Sequence, residues 1–323
     1  MKSFIIGKNE SGQRFDKYLK KLLPACPPGL LFKSLRKKNI TLNRKKAEGH
    51  ELLKEGDTAE LFFSDETFER FKSSVNTSSY LSYKGPKPEI VFENEDVLIA
   101  NKPAGLLSQS DESGLPDINT WLISYLLSSG KLSEKELETF KPSACNRLDR
   151  NTSGLIICGK SLKGSQEMTR LIREGLISKY YLTLVHGSFK GPAKASGILV
   201  KDKNTNKVSV SSAAEKDANI FTEFKLLKET GGCSLLEVRL HTGKPHQIRA
   251  QLAALGYPVY GDRKYGLPNM KASEKKLGHQ LLQAYRLEFS EACNLDDLKR
   301  LTIKIEPSKE IKDALCRLGT AEA

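Results

Sequence analysis

The sequence lacks any long run of apolar residues. No stretch approaches the roughly eighteen consecutive apolar residues of a membrane-spanning helix. The amino-terminal segment reaches Gly7, Lys8 and Asn9 before the hydrophobic core of a signal peptide could form. We therefore expect a cytoplasmic protein that does not bind a membrane.

Paired cysteine motifs are also missing. The cysteines lie far apart and none forms a C-x-x-C pair, which argues against a zinc site and against a small disulfide scaffold. We expect reduced thiols and no metal. The six cysteines are Cys26, Cys145, Cys158, Cys233, Cys293 and Cys316.

The composition is that of a folded protein with a polyanionic partner. Hydrophobic residues make up 38% and charged residues 28% of the chain, which is close to the average for globular proteins. The length of 323 residues favours one large domain plus a small one, or two of middling size. The formal net charge is +13. An excess of this size in a folded protein is typical of nucleic-acid binding.

Most of that charge lies in one tenth of the chain. Residues 14–46 contain eleven Lys or Arg and one acid, Asp16, a net charge of +10. The segments 14–23 and 30–40 have the period of two amphipathic helices, with Phe15, Leu19 and Leu31 on the apolar faces and Arg36, Lys37 and Lys38 at the end of the second. Such a cluster is either a solvated helix face or an RNA-binding surface.

The first part of the chain resembles the S-four-type RNA-binding domain, named for a small-subunit ribosomal protein. Two helices are followed by a strand, a basic turn and a second strand, and the resemblance covers roughly residues 12–64. It implies an RNA-binding domain at 12–65 that contacts RNA through Arg36, Lys37 and Lys38. Residues 66–88 are rich in Ser, Gly and Pro and predict an irregular linker.

A larger α+β domain is predicted at residues 89–310. Short strands alternate with loops from residue 89 onward, and helical patterns fall at about 117–127, 162–174 and 246–255. This mixed order predicts a largely antiparallel sheet. The fold class is therefore α+β, a small α/β RNA-binding domain followed by a larger mixed domain.

The segment 146–155, N-R-L-D-R-N-T-S-G-L, carries a candidate catalytic acid. Asp149 stands near Arg147 and Arg150, whose charges favour the ionised carboxylate that a nucleophile or base requires. On its own, the pattern also fits an ordinary surface salt bridge.

That segment resembles the catalytic motif of the RluA family of pseudouridine synthases, usually H-R-L-D-x-x-T-S-G. Four further segments resemble motifs of the same family and occur in its order. They are N-K-P-A-G at 101–105, K-Y-Y-L-T-L-V-H-G at 179–187, T-G-K-P-H-Q-I-R at 242–249, and G-Y-P-V-Y-G-D at 256–262 followed by Tyr265 and Gly266. The sequence departs from the family at Asn146, where His is usual; we expect that position to have a supporting role.

The resemblance implies an enzyme that breaks the glycosidic bond of a uridine in folded RNA, rotates the uracil and rejoins it through carbon 5. Asp149 would be the catalytic carboxylate, acting either as nucleophile or by removing a sugar proton. The reaction needs no redox step, metal or cofactor.

Other site residues are also implied by the resemblance. Tyr181 matches the active-site tyrosine, and Arg249 matches an arginine that would orient Asp149 through a bidentate contact. Arg147 is the candidate to fill the space left by the flipped base, although it could be an ordinary surface arginine. Lys102 and Lys244 are expected to contact phosphate. His246 is expected to be structural or to contact RNA.

Several functions remain open. The two-domain arrangement favours large-subunit ribosomal RNA as substrate, while transfer RNA is the alternative, and we expect a monomer. A non-catalytic RNA-binding factor in ribosome assembly is a second reading, which Asp149, Tyr181 and Arg249 argue against. A glycoside hydrolase is a third, but such enzymes generally need two carboxylates around one bond and only Asp149 stands out.

Overall fold

The computed structural model describes residues 1–72, 77–201, 208–213 and 217–320. The chain begins with a four-stranded antiparallel sheet of order β1-β4-β2-β3, packed against two helices. The elements are β1 Lys2–Ile5, α1 Phe15–Leu22, α2 Pro28–Arg36, β2 Ile40–Leu42, β3 Lys45–Lys46 and β4 Thr58–Leu61.

The two amphipathic helices form as their sequences predict. Phe15 and Leu19 of α1 and Leu31 and Leu35 of α2 are buried in one hydrophobic cluster with the strands. Pro28 starts α2 at a position where its missing N–H costs no hydrogen bond. The basic residues after Leu35 are exposed, so the charged end of α2 faces solvent.

The segment predicted as an irregular linker differs from that expectation. It contains two short helices, α3 Asp65–Phe71 and α4 Thr77–Leu81. Ser64 caps α3 by accepting the N–H of Thr67, while Phe68 and Phe71 are three residues apart and pack on the first cluster. The irregular composition of the following residues led the whole segment to be predicted as a linker. Residues 73–76 lie outside the described residues.

The rest of the chain is built around an 11-stranded sheet, which confirms the α+β class. Its main path runs β11-β10-β12-β13-β9-β14-β8-β6-β5, with β15 paired to β14 and β7 to β8. Every pairing of its described strands is antiparallel except that between β14 and β8. The strands are β5 Glu89–Glu93, β6 Val97–Lys102, β7 Ser143–Ala144, β8 Ser153–Gly159, β9 Ile177–His186, β10 Lys194–Lys201, β11 Val208–Ser212, β12 Ile220–Thr230, β13 Cys233–Leu240, β14 Leu282–Phe289 and β15 Thr302–Lys304.

Helices connect the strands of this sheet, and a final helix follows its last strand. The three helices predicted in this region occur within one or two residues of their expected bounds. The helices are α5 Ile118–Ser128, α6 Glu134–Leu137, α7 Leu162–Arg173, α8 Gln247–Ala254, α9 Ala272–Leu277 and α10 Lys309–Thr320, with a short 3-10 turn at Asp296–Leu298. In the described part of the chain, every helix is too short or too polar to cross a lipid bilayer.

Candidate active site

Asp149 lies on a loop between β7 and β8 that is fixed by hydrogen bonds. The Ser108 hydroxyl donates to the carbonyl of Leu148 and accepts the N–H of the same residue, at 2.7 and 3.0 Å. The Thr152 N–H donates to the Asp149 carbonyl at 3.0 Å. Asn146, where the family usually has His, accepts the N–H of Ile157 through its side-chain oxygen at 2.8 Å. The loop is therefore anchored before and after the aspartate.

Gly154 shows why this loop needs a glycine where β8 begins. Its φ is 109°, and a Cβ there would lie 2.0 Å from the carbonyl oxygen of Ala284 on β14. Only glycine permits both the backbone angle and the close approach. The start of β8 is thereby held against β14.

Arg249, the third residue of α8, connects two carboxylates. Its Nη1 donates to Oδ2 of Asp149 at 2.8 Å, whereas Nε and Nη2 donate to the two oxygens of Asp262 at 2.7 and 2.9 Å. The structure thus brings Arg249 to Asp149 as the sequence predicted. The bidentate contact, however, is made to Asp262, because the planar fork of the guanidinium matches that fully buried carboxylate.

The Arg249–Asp262 pair is held in its charged state. Burial alone would raise the pKa of Asp262, but Arg249 and the backbone N–H groups of Lys264 and Tyr265 outweigh it and lower that pKa. Burial would lower the pKa of Arg249, and the two carboxylates raise it instead. A positive charge is therefore fixed beside the carboxylate of Asp149.

Tyr181 lies on β9 and faces the same cavity as Asp149. Only 6% of the residue is exposed, and burial, with the charge of Asp149, raises the pKa of its phenol. The phenol is accordingly neutral and can donate a hydrogen bond. Its ring forms part of the cavity wall with Leu148 and Leu282.

His246 precedes α8 with a left-handed φ of 56°. Its Nδ1 lies 2.9 Å from the hydroxyl of Tyr265, and its Nε2 lies 3.9 Å from Oδ2 of Asp149. Tyr265 in turn accepts the N–H of Val208. Burial lowers the pKa of His246, although Asp149 opposes this shift. These contacts give His246 a fixed position at the edge of the site.

Lys102 is not where the sequence prediction put it. It is fully buried, and its ammonium donates to the carbonyls of Pro103, Leu106 and Arg150 at 3.1, 2.7 and 3.0 Å. The expected phosphate contact is wrong, because the lysine uses its donors to tie the segment after β6 to the Asp149 loop. Burial lowers the pKa of Lys102 to about 7. The three carbonyl acceptors nevertheless match the three N–H donors of a charged ammonium, so we assign the charged form to Lys102.

Two adjoining cavities meet at Asp149. One has a volume of about 290 Å³ and extends toward β9 and α7, and the other, of about 830 Å³, extends toward Ser108 and Lys264. Arg147 and Lys244 line both cavities and are exposed. Arg36, Lys37 and Lys38 line neither, and lie instead on the surface of the amino-terminal unit.

Three contributors were not identified from the sequence: Ser108, Asp262 and Tyr265. Asp262 belongs to the quoted turn motif at 256–262, but nothing in the sequence shows that its carboxylate lies under Arg249. Ser108 lies 40 positions before Leu148, the residue it binds. Neither partner could be found from spacing along the chain.

Known proteins resemble this chain along most of its length. The model of the RNA pseudouridylate synthase family matches residues 96–254. An RNA pseudouridine synthase of Mycoplasma genitalium is 30% identical, covering 88% of this chain and 88% of that protein. The ribosomal large subunit pseudouridine synthase C of Rickettsia bellii is 32% identical, covering 78% and 82% of the two chains. The synthase D of Borreliella burgdorferi is 31% identical, with coverage of 72% and 71%.

A solved structure shows the same fold. The human RNA pseudouridylate synthase domain containing 4 aligns with a TM-score of 0.54 and 22% identity, covering 71% of this chain and 92% of that chain.

Proposed function

The chain belongs to the RNA pseudouridylate synthase family, and from that premise we propose that it isomerises uridines of large-subunit ribosomal RNA with Asp149 as its catalytic carboxylate. The observation that carries this proposal is the contact between Arg249 and Asp149 at the meeting point of two cavities. Of the residues lining both cavities, Asp149 is the carboxylate held by a buried arginine.

The geometry suits a carboxylate that must act without moving. Asp149 can attack the ribose C1′ or remove a proton from C2′, and either step requires the ionised form beside the sugar. Arg249 places a positive charge against this carboxylate. The anchored loop holds the oxygens at one place, which lowers the cost of reaching the transition state.

The aromatic ring and the exposed cations fit the remaining steps. Tyr181 offers a ring against which the uracil can pack and a neutral phenol for proton transfer. A base in folded RNA must leave its stack to reach this cavity. Arg147, exposed at the rim, is suited to fill the space that the flipped base leaves in the RNA or to bind a phosphate. Lys244, in the loop after β13, is exposed at the same cavity.

Two observations support ribosomal RNA as the substrate. Relatives from Rickettsia bellii and Borreliella burgdorferi carry names of ribosomal large subunit enzymes. The amino-terminal unit has the helix, helix and hairpin order of an S-four-type domain, which we propose spans residues 12–65 and binds RNA through Arg36, Lys37 and Lys38.

Asp149→Asn tests the catalytic assignment. The amide keeps the shape of the side chain but can neither attack carbon nor remove a proton, so we expect no release of tritium from RNA containing 5-tritiated uridine. Asp313→Asn, on the exposed face of α10, is the matched control and should be fully active. An active Asp149→Asn enzyme would overturn the assignment.

The RNA target is tested separately. Pseudouridine mapping of total RNA from cells with and without the gene should reveal sites lost from large-subunit ribosomal RNA. Sites lost only from transfer RNA would contradict that part of the proposal and leave the catalytic assignment intact.

A further inference from the structure

Lys179 is a cation without a partner on the wall of the 290 Å³ cavity. Across the described residues, its ammonium takes part in no hydrogen bond or ion pair, and the aliphatic chain is half-buried. Burial lowers the pKa of Lys179, and no nearby carboxylate opposes this. The ammonium is therefore available to donate to a group bound in this cavity.

The strand register explains why no acid is within reach. Lys179 is paired with Leu240 on β13 and with Leu287 on β14, so an apolar side chain flanks it on both neighbouring strands. The ammonium is near the loop after β13, since a Cβ on Gly243 would lie 3.9 Å from Nζ.

Lys179 and Tyr181 point to the same side of β9. They are two residues apart, and alternate residues of a strand share a face at a spacing of about 7 Å. Asp149, Tyr181 and Lys179 all line the smaller cavity, so the lysine faces the same space as the candidate catalytic carboxylate.

The chemistry of the reaction requires a cation at that far end. As Asp149 bonds to C1′ or removes the C2′ proton, the C1′–N1 bond breaks, and its electron pair stays on N1 and spreads over the two carbonyl oxygens of the uracil. The base is then an anion that must be retained while it rotates. When C5 bonds to C1′, the bond to Asp149 breaks or the proton returns to C2′, after which C5 loses its proton and N1 takes one up. A group that binds the developing charge accelerates the cleavage.

We propose that Lys179 donates a hydrogen bond to a carbonyl oxygen of the uracil and stabilises the anion formed on cleavage, an inference that rests on the proposed function. Arg249 is unsuited to this task, because its donors engage Asp149 and Asp262. Lys179 thus becomes a catalytic residue in its own right.

A base fits this place better than a phosphate does. The surrounding wall includes Ile172, Leu240 and Leu282, which suit the faces of a planar ring. A phosphate at the same point would lose its hydration against these apolar groups. The exposed Arg147 and Lys244 at the rim are better placed to receive the backbone.

The test compares Lys179→Met and Lys179→Arg with the wild-type enzyme on two RNAs. One RNA carries uridine at the target and the other carries 5-fluorouridine, whose fluorine withdraws electrons and stabilises the detached anion. Single-turnover cleavage at saturating RNA is followed by nuclease digestion and mass spectrometry. Affinity is measured across a salt series, and Lys228→Met, at an exposed position of β12, is the control.

For Lys179→Met we expect the rate on uridine to fall about 100-fold, as on removal of an oxyanion donor, with affinity nearly unchanged. The fall on 5-fluorouridine should be clearly smaller, and Lys179→Arg should recover part of the rate.

An unchanged rate with weaker, less salt-dependent binding would instead identify a phosphate contact and overturn the proposal. Equal losses on both RNAs with a lowered melting temperature would identify a structural role and also overturn it. Neither result would bear on Asp149, whose own variant is assayed separately.

Discussion

Replacement of Arg249 by alanine should damage both stability and catalysis, and the structure shows how to separate the two. The change leaves Asp262, whose side chain is fully buried, with backbone N–H donors but no cation. Breaking a buried ion pair by removing one partner typically costs about 3–5 kcal/mol. Asp149 simultaneously loses its charged hydrogen bond.

The double variant Arg249→Ala, Asp262→Asn removes the stranded charge. The asparagine oxygen can still accept the N–H groups of Lys264 and Tyr265, which Asp262 binds at 2.8 and 3.1 Å. We expect it to recover about half of the lost free energy of unfolding, because a neutral amide costs less to bury than a lone carboxylate. The double variant should still form pseudouridine slowly, because Asp149 lacks the guanidinium of Arg249.

The measurements are urea unfolding and single-turnover pseudouridine formation at saturating RNA. Both the single and the double variant should be slower than wild type by about 100-fold, a loss of about 3 kcal/mol from the transition state. Affinity for RNA should change little. If the double variant regained its activity together with its stability, Arg249 would act only as a support for the fold, and the pairing with Asp149 would have no catalytic role.

Two further predictions concern the RNA-binding surface and the acid response. Changing Arg36, Lys37 and Lys38 together to Gln should leave single-turnover rates intact and reduce the slope of log affinity against log salt by about 2–3, because each phosphate contact contributes about 0.7–0.9. An unchanged slope would mean that this end of the helix is only solvated and does not contact RNA. Burial would raise the pKa of Glu93, but its bonds from Lys131, Lys160 and Tyr125 lower it from 4.5 to about 2. The resulting stabilisation is present above pH 4.5 and disappears as the pH falls to about 2, so Glu93→Gln should cost up to about 3 kcal/mol at pH 6 and almost nothing at pH 2. A cost independent of pH in chemical unfolding would refute this reasoning.

The sequence was sufficient to predict the features that depend on local residue patterns and on motifs. Helix α1 formed because its apolar residues recur at the helical period. Asp149, Tyr181 and Arg249 were predicted as site residues through segments whose order is that of the family. Contacts between distant segments could not be deduced. The bond of Arg249 to Asp262 depends on the turn that follows α8, which no periodicity specifies.

Lys102 shows a second limit of prediction from the sequence. A lysine is almost never fully buried, so its charge suggested a place on the surface near phosphate. Three carbonyls that converge on one ammonium arise only from the path of the backbone after β6. The α3 helix was missed for a comparable reason, because it is short and its burial depends on the packing of Phe68 and Phe71 against the first cluster.

The central position of β14 sets the order in which the large sheet can be assembled during synthesis. The strand forms late in the chain, yet it lies between β9 and β8, which carry Tyr181 and follow the Asp149 loop. Until β14 has emerged from the ribosome, the two halves of the sheet have no common strand to join them. We therefore expect the amino-terminal basic surface to form during synthesis before Tyr181 and the Asp149 loop are brought together.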